Sequence, residues 1–145
     1  MPSKNKALIR RLFAEVWNKG NLRVAGEIFS YDYTMHDPII KHEPGIQSYE
    51  RHVTQVRATF PDIKFTIEDL VEEGNKVVIL WKAQGTHKAE FLGVPDTGKR
   101  VTVTGITVTR LSRGKVAESW ANWNALGMMQ QLGVDVLQTA GSGLW

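Results

Sequence analysis

The sequence predicts an α+β domain, with helices packed on one face of a curved antiparallel sheet. Two observations carry this. Apolar residues recur at helical spacing through the first part of the chain and alternate from Ile63 onward. Turn signals at Glu73-Gly74-Asn75 and Ser112-Arg113-Gly114 divide the alternating part into strands. A run of helices followed by a run of strands belongs to the α+β class.

Asn5 to Asn18 places Ala7, Leu8, Leu12, Phe13, Val16 and Trp17 on one helical side, and Gly20 ends it. Asn21 can cap a second short helix whose apolar side holds Leu22, Val24, Ala25, Ile28 and Phe29. Tyr31 to Pro38, YDYTMHDP, is a short extended piece turning into a loop, because a residue before proline avoids the helical region. Pro44 and Gly45 open a third helix over about Ile46 to Thr59, which Phe60-Pro61-Asp62 stops. Four strands follow, near Ile63 to Val71, Lys76 to His87, Arg100 to Leu111, and from Gly114 onward. They form an antiparallel meander, interrupted by the Gly/Pro loop Phe91 to Lys99. A last helix covers about Ala125 to Leu132, and the glycine-rich tail Thr139 to Trp145 is expected to be loose.

The 145 residues make one domain, 1–145, with no internal repeat or linker. The net charge of +3 comes from scattered basic residues, so nucleic acid is not an expected partner. Having no cysteine, the chain has no thiol nucleophile and no cysteine-ligated metal. No stretch approaches transmembrane length, and MPSKNKALIRRLF lacks an apolar core of signal-peptide length, so a cytoplasmic protein with no membrane partner is expected.

The most unusual stretch is Gly114 to Gly133, GKVAESWANWNALGMMQQLG. Strict alternation puts Val116, Glu118, Trp120, Asn122 and Asn124 on one face. A carboxylate, an indole and two carboxamides together are too polar for a core face and too aromatic for a solvated one. This face is therefore expected to wall a cavity between the sheet and the helices.

Five pieces carry a resemblance: FAEVWNKGNL, YTMHDP, VRATFPDIKFTIEDLVEEGNKVV, WKAQGTHKAEFLGVPDTGKRVTVTGI and GKVAESWANWNALGMMQQLG. Together they resemble the SnoaL-like polyketide cyclases of the broader NTF2-like superfamily. The resemblance implies an NTF2-like cone with a deep, largely apolar cavity, often a homodimer formed through sheet faces, binding a small hydrophobic or polyketide-like ligand. It further implies cofactor-free and metal-free chemistry, the intramolecular aldol closure of an aromatic polyketide ester. Relatives that only bind, or that act in hydroxylation or hydration, are the alternative. Members commonly read W-x-x-x-D before the last helix. Here Trp120 matches the Trp and Asn124 stands where the catalytic Asp is expected, so Asn124→Asp is expected to raise cyclase activity. Asparagine can donate and accept hydrogen bonds but cannot exchange a proton near neutral pH.

Candidate catalytic residues are His87, Asp37, His36 and Asn124. His87 shares strand parity with Ile79 and Trp81, and a cavity-facing histidine can do acid/base work near neutrality. The alternative is a hydrogen-bonded structural histidine. His36 and Asp37 sit in a loop expected at the cavity mouth, where Asp37 could instead brace the loop. Asn122 and Asn124 could orient a carbonyl or hold an enolate oxygen. Trp17, Tyr33, Phe60, Trp81 and Trp120, with Asn122, are the expected substrate-binding set, each also a candidate for plain core. Glu118 is expected to pair with a strand arginine. The spacings of His36, His42, His52 and His87 fit no standard metal site, and GVPDTGK lacks phosphate-loop spacing.

Overall fold

The computed structural model describes residues 3–135, so the tail expected to be loose lies outside the described residues. Helix α1 spans Lys4–Arg11 and runs on as a π-helical stretch, Leu12–Trp17. Ser3 caps it by accepting from the Lys6 amide at 3.1 Å, and the Ser3 and Asn5 side chains both bond to Glu72. The wider turn is closed by the Asn18 amide on the Phe13 carbonyl, and it buries Leu12, Phe13, Val16 and Trp17 together. Helix α2 is Leu22–Ile28, and α3 is Ile46–Thr59.

Strands β2 (Lys64–Glu73), β3 (Lys76–Thr86), β4 (Arg100–Ser112) and β5 (Lys115–Trp123) form the expected antiparallel meander, and α4 is Ala125–Gln131. A fifth strand, β1 (Phe29–His36), was expected only as a short extended piece. It pairs parallel with β5, giving the sheet order β1-β5-β4-β3-β2. Phe29, expected on the helix, begins this strand. Its ring is buried against Tyr33 and Tyr49, with centroids 4.6 and 4.7 Å away. Tertiary packing of that ring outweighs the helical spacing that precedes it.

The antiparallel part of the sheet is bulged at two places, and the β1–β5 pair is irregular between Phe29 and Thr34. On β2, Ile67 pairs with Trp81 but Asp69 pairs with Leu80, leaving Glu68 as the extra residue. On β5, Val116 pairs with Leu111 but Glu118 pairs with Arg110, leaving Ala117 as the extra residue. A bulge adds one residue to one strand, bends it and increases its twist. It also shifts side-chain parity beyond it, which decides what faces the interior.

Two apolar clusters fill the inside of the sheet. The larger joins the first helices to Tyr33, Tyr49, Ile79 and Val116. The smaller joins Phe60, Val101, Met128 and Leu132 at the α4 end. Between them the sheet keeps a hollow, and Gly105 helps shape it. The Trp81 indole lies against Gly105, where a β-carbon would sit 2.2 Å from Cζ2. A mid-strand glycine is explained by that close approach.

Candidate functional site

The hollow is a cavity of about 140 Å³ that opens to solvent on one side. Its wall is mostly aromatic and aliphatic, with a few polar groups among them, the usual composition of a small-molecule site. Of the expected binding residues, Trp17, Tyr33, Phe60 and Trp81 line it. Trp81 Nε1 donates to Thr107 Oγ1 at 2.9 Å, which fixes the ring in the wall.

The expectation for β5 is reversed. Because Ala117 is the bulge residue, the inward set is Val116, Ser119, Ala121 and Trp123. Trp120 and Asn122 point to the outer face of the sheet, and Trp120 is 37% exposed. His36 lies outside as well, stacked on Trp120 with ring centroids 5.3 Å apart. Its Nε2 is 2.7 Å from Glu118 Oε2, and Arg110 approaches the other Glu118 oxygen at 3.3 Å. This pairing, with His36 as the first contributor, holds the Glu118 carboxyl below its ordinary range. Glu118 thus has the strand arginine it was expected to have.

Asn124 is not in the cavity wall either. It is the N-cap of α4, its side-chain oxygen accepting from the Gly127 amide at 2.9 Å. Asparagine and aspartate cap helices about equally well. An Asp at this position would serve the cap equally well, and the Asn124 side chain offers no proton-transfer group to the cavity. Asn124→Asp should leave both stability and turnover as they are, whereas Asn124→Ala should cost about 1 kcal/mol. Chemical denaturation of both variants checks this, and an unchanged midpoint for Asn124→Ala would contradict the capping role.

His87 is fully buried but does not line the cavity. Its Nδ1 accepts from the Thr97 amide at 3.1 Å and lies 3.0 Å from the Thr97 hydroxyl. Its backbone bonds Lys99 and Gly98. The ring packs on Phe60 with centroids 5.7 Å apart, and Nε2 has no hydrogen-bond partner among the described residues. These contacts hold the Phe91-to-Lys99 loop, the structural alternative weighed for this histidine.

Asp37 does reach the cavity. Its Oδ1 accepts from the Ile39 and Ile40 amides at 2.8 and 2.9 Å, an Asx turn set by the proline that follows. Trp123 Nε1 donates to both oxygens, at 3.2 Å to Oδ1 and 3.0 Å to Oδ2. Among the described residues Oδ2 has that one partner, which leaves it a free lone pair.

Sequence reasoning missed what stands opposite. His52, one helical turn after Tyr49 on α3, lines the cavity beside Trp17, with ring centroids 5.8 Å apart. His42 abuts it edge-to-face at 4.6 Å. Burial pushes the His52 imidazole down to about 4, His42 pushes further the same way, and the Asp37 charge partly opposes both. His52 is therefore neutral at physiological pH, next to a carboxylate in an apolar hollow. The signal was available: Tyr49, His52, Val53 and Val56 share one helical stripe, and a histidine on such a stripe faces whatever the stripe faces.

Among the described residues no group of three or more His, Cys, Asp or Glu could hold a metal ion, and no helix is long and apolar enough to cross a membrane. The chain is similar to an aklanonic acid methyl ester cyclase of Streptomyces sp. (strain C5), with 26% identity over 133 residues, covering 87% of this chain and 80% of that protein. A solved structure from Acidithiobacillus ferrooxidans is 33% identical and superposes with a TM-score of 0.83, covering 92% of this chain and 96% of the other. TsrD from Streptomyces laurentii is 28% identical with a TM-score of 0.82, covering 90% and 95%. The family model for SnoaL-like polyketide cyclases matches residues 7–132, and with the cone-shaped fold and its aromatic cavity in place the chain belongs to that family.

Proposed function

We propose that the protein closes a ring in an aromatic polyketide ester by an intramolecular aldol addition. The observation that carries this is the Asp37 carboxylate set in an aromatic cavity beside the neutral His52. The Asp37 Oδ2 takes a proton from the carbon next to a carbonyl. The resulting enolate carbon forms a C–C bond to a second carbonyl carbon, whose π electrons move to its oxygen. The alkoxide then takes back a proton from the Asp37 carboxylic acid. Atoms and electrons balance with nothing but that proton carrier, so the step needs no redox cofactor. Trp123 and the two loop amides hold the carboxylate in place, and the apolar wall around it strengthens its interactions with the substrate.

The experiment is direct. Incubated with aklanonic acid methyl ester, the compound in the name of the curated relative, the protein should yield an isomer of unchanged mass with one more ring. Binding of that ester and of simpler aryl diketoesters with no conversion of any would replace the cyclase by a binding protein. Action in the cytoplasm remains part of the proposal, checked by cell fractionation.

A homodimer through the outer sheet face accords with the same reading. Val71, Leu80, Ile106 and Trp120 are exposed there, and cross-strand pairing brings them into one patch. A patch of that kind marks an interaction surface. Ile106→Lys puts a charge in its middle and should convert a dimer to a monomer in sedimentation analysis. A wild-type protein that sediments as a monomer would remove the dimer from the proposal.

A further inference from the structure

The cavity wall holds one hydrogen-bond donor that the described residues leave unused and a second that they use only weakly. Tyr49, on α3, has its hydroxyl oxygen accepting from Trp17 Nε1 at 2.9 Å. The Tyr49 O–H proton itself has no acceptor among the described residues. Tyr33, on β1, packs edge-on against Tyr49 with centroids 5.2 Å apart. Its hydroxyl spends its proton on the Met35 thioether, 3.4 Å away, a weak acceptor. Beside it Ser119 bonds the Thr109 hydroxyl at 3.0 Å and also hydrogen-bonds the Tyr33 oxygen. All of these side chains line the cavity, and Tyr33, Tyr49, Thr109 and Ser119 are buried.

Buried hydroxyls are normally paired, because a donor without an acceptor costs free energy. Here Tyr49, from the helix wall, keeps an O–H with no acceptor among the described residues, and Tyr33, from the sheet wall, gives its proton to a weak one. Burial, together with the nearness of the two rings, pushes the Tyr33 phenol well above its ordinary range, and burial does the same to Tyr49. Both therefore remain neutral donors at any physiological pH. Neutral donors fixed in an apolar wall suit a ligand oxygen that carries or gains negative charge.

We infer that this part of the cavity wall is an oxygen-binding site, in which the Tyr49 and Tyr33 hydroxyls donate to one carbonyl oxygen of the ligand. The ligand class is a planar, conjugated ketone able to become an enolate, or the phenol tautomer of such a ketone. Tyr49 is the stronger donor, because the Trp17 N–H on its oxygen polarises the O–H outward. With the aldol reaction proposed above, on which this consequence rests, the oxygen held here is that of the carbonyl whose neighbouring carbon loses its proton to Asp37. The substrate then enters with this ketone leading and its ester toward the partly exposed mouth around Asp37, His52 and Gln84.

The test needs no turnover. 4-Nitrophenolate serves as a stable mimic of an enolate, and 4-nitroanisole as its uncharged ether of similar shape. Wild-type protein should bind the phenolate more tightly than the ether. Tyr49→Phe should weaken phenolate binding about tenfold or more, as losing a hydrogen bond to a charged oxygen does, and leave the ether unchanged. Tyr33→Phe leaves the Trp17–Tyr49 bond in place and should weaken it less. Unchanged ether binding shows that each variant is folded. Equal phenolate binding by wild type and both variants, or no preference of the wild type for the phenolate, would overturn the oxygen site. If the phenolate results hold and no ester is converted, the oxygen site stands and the cyclase reading falls. If Asp37→Asn abolishes turnover while the tyrosine variants bind phenolate like wild type, the cyclase stands and the oxygen site falls.

Discussion

Asp37→Asn should lower turnover of an aromatic polyketide ester by about 10²–10⁴-fold, the usual contribution of a positioned general base. The fold and the affinity for the ester should persist. The asparagine carbonyl oxygen can still accept from the Ile39 and Ile40 amides and from Trp123 Nε1, so the Asx turn and the indole keep their partner. What the amide cannot do is take a proton. A drop in kcat with an unchanged KM would place the loss in the chemical step. Asp37→Ala is a worse probe, because it also frees the two loop amides and the indole N–H. Turnover by Asp37→Asn equal to wild type would remove Asp37 from the reaction. His52→Gln, which keeps a polar neutral side chain in the wall, would then be the variant to assay.

Asp37 was legible in the sequence, and its setting was not. The D-P dipeptide marks a turn at the end of an extended piece, which places the residue near a mouth. Nothing local says that the indole reaching it belongs to Trp123, 86 positions away. The alternation rule assigned Trp120 to the cavity because it assumed that one strand keeps one parity. Ala117 breaks that assumption by one residue, and every side chain beyond it changes sides. Val116, before the bulge, stayed on the inside as expected, and Ser119, Ala121 and Trp123 took the places foreseen for Trp120 and Asn122. The aromatic residues outside β5 fared better, since Trp17, Tyr33, Phe60 and Trp81 lie on parts of the chain that this bulge does not touch. β1 was hard to read for a different reason. Its neighbour in the sheet is β5, far along the chain, and FSYDYTMH shows no clean alternation by itself.

Asn124 shows how a motif can mislead even when it is correctly matched. A carboxylate or carboxamide just before a helix has a local task, which is to accept from an exposed amide of the first turn. The Asn124 side chain performs that task. The carboxylate that does reach the cavity, Asp37, follows β1 at the same end of the parallel β1–β5 seam.

Stability should fall as the pH is lowered from 6.5 toward 4, and His52 should account for most of the change. Its imidazole has an ordinary value of 6.5 and is held at about 4 in the fold, chiefly by burial and then by His42. In that interval the unfolded chain binds a proton that the folded chain does not, so acid favours unfolding. Below about 4 both forms are protonated and the loss is complete. A separation of this size amounts to about 3 kcal/mol at most, a large part of a typical domain's stability. His42, also held below its ordinary value by burial, acts in the same direction. Glu118 and Asp62 are held low instead, by the His36 contact and by the Thr86 hydrogen bonds respectively. Their stabilising contributions are present above the ordinary carboxylate range and are lost as the pH falls through their lower folded values. They therefore leave the interval from about 6.5 to 4.5 to the histidines. Urea denaturation at pH 7 and pH 4.5 should show a large fall in midpoint for wild type and a much smaller one for His52→Gln. Parallel falls in the two proteins would mean that His52 accepts its proton in the folded cavity without penalty. The neutral imidazole beside Asp37 would then no longer be a fixed property of the site, and a protonated His52 would have to be weighed as the acid of the reaction.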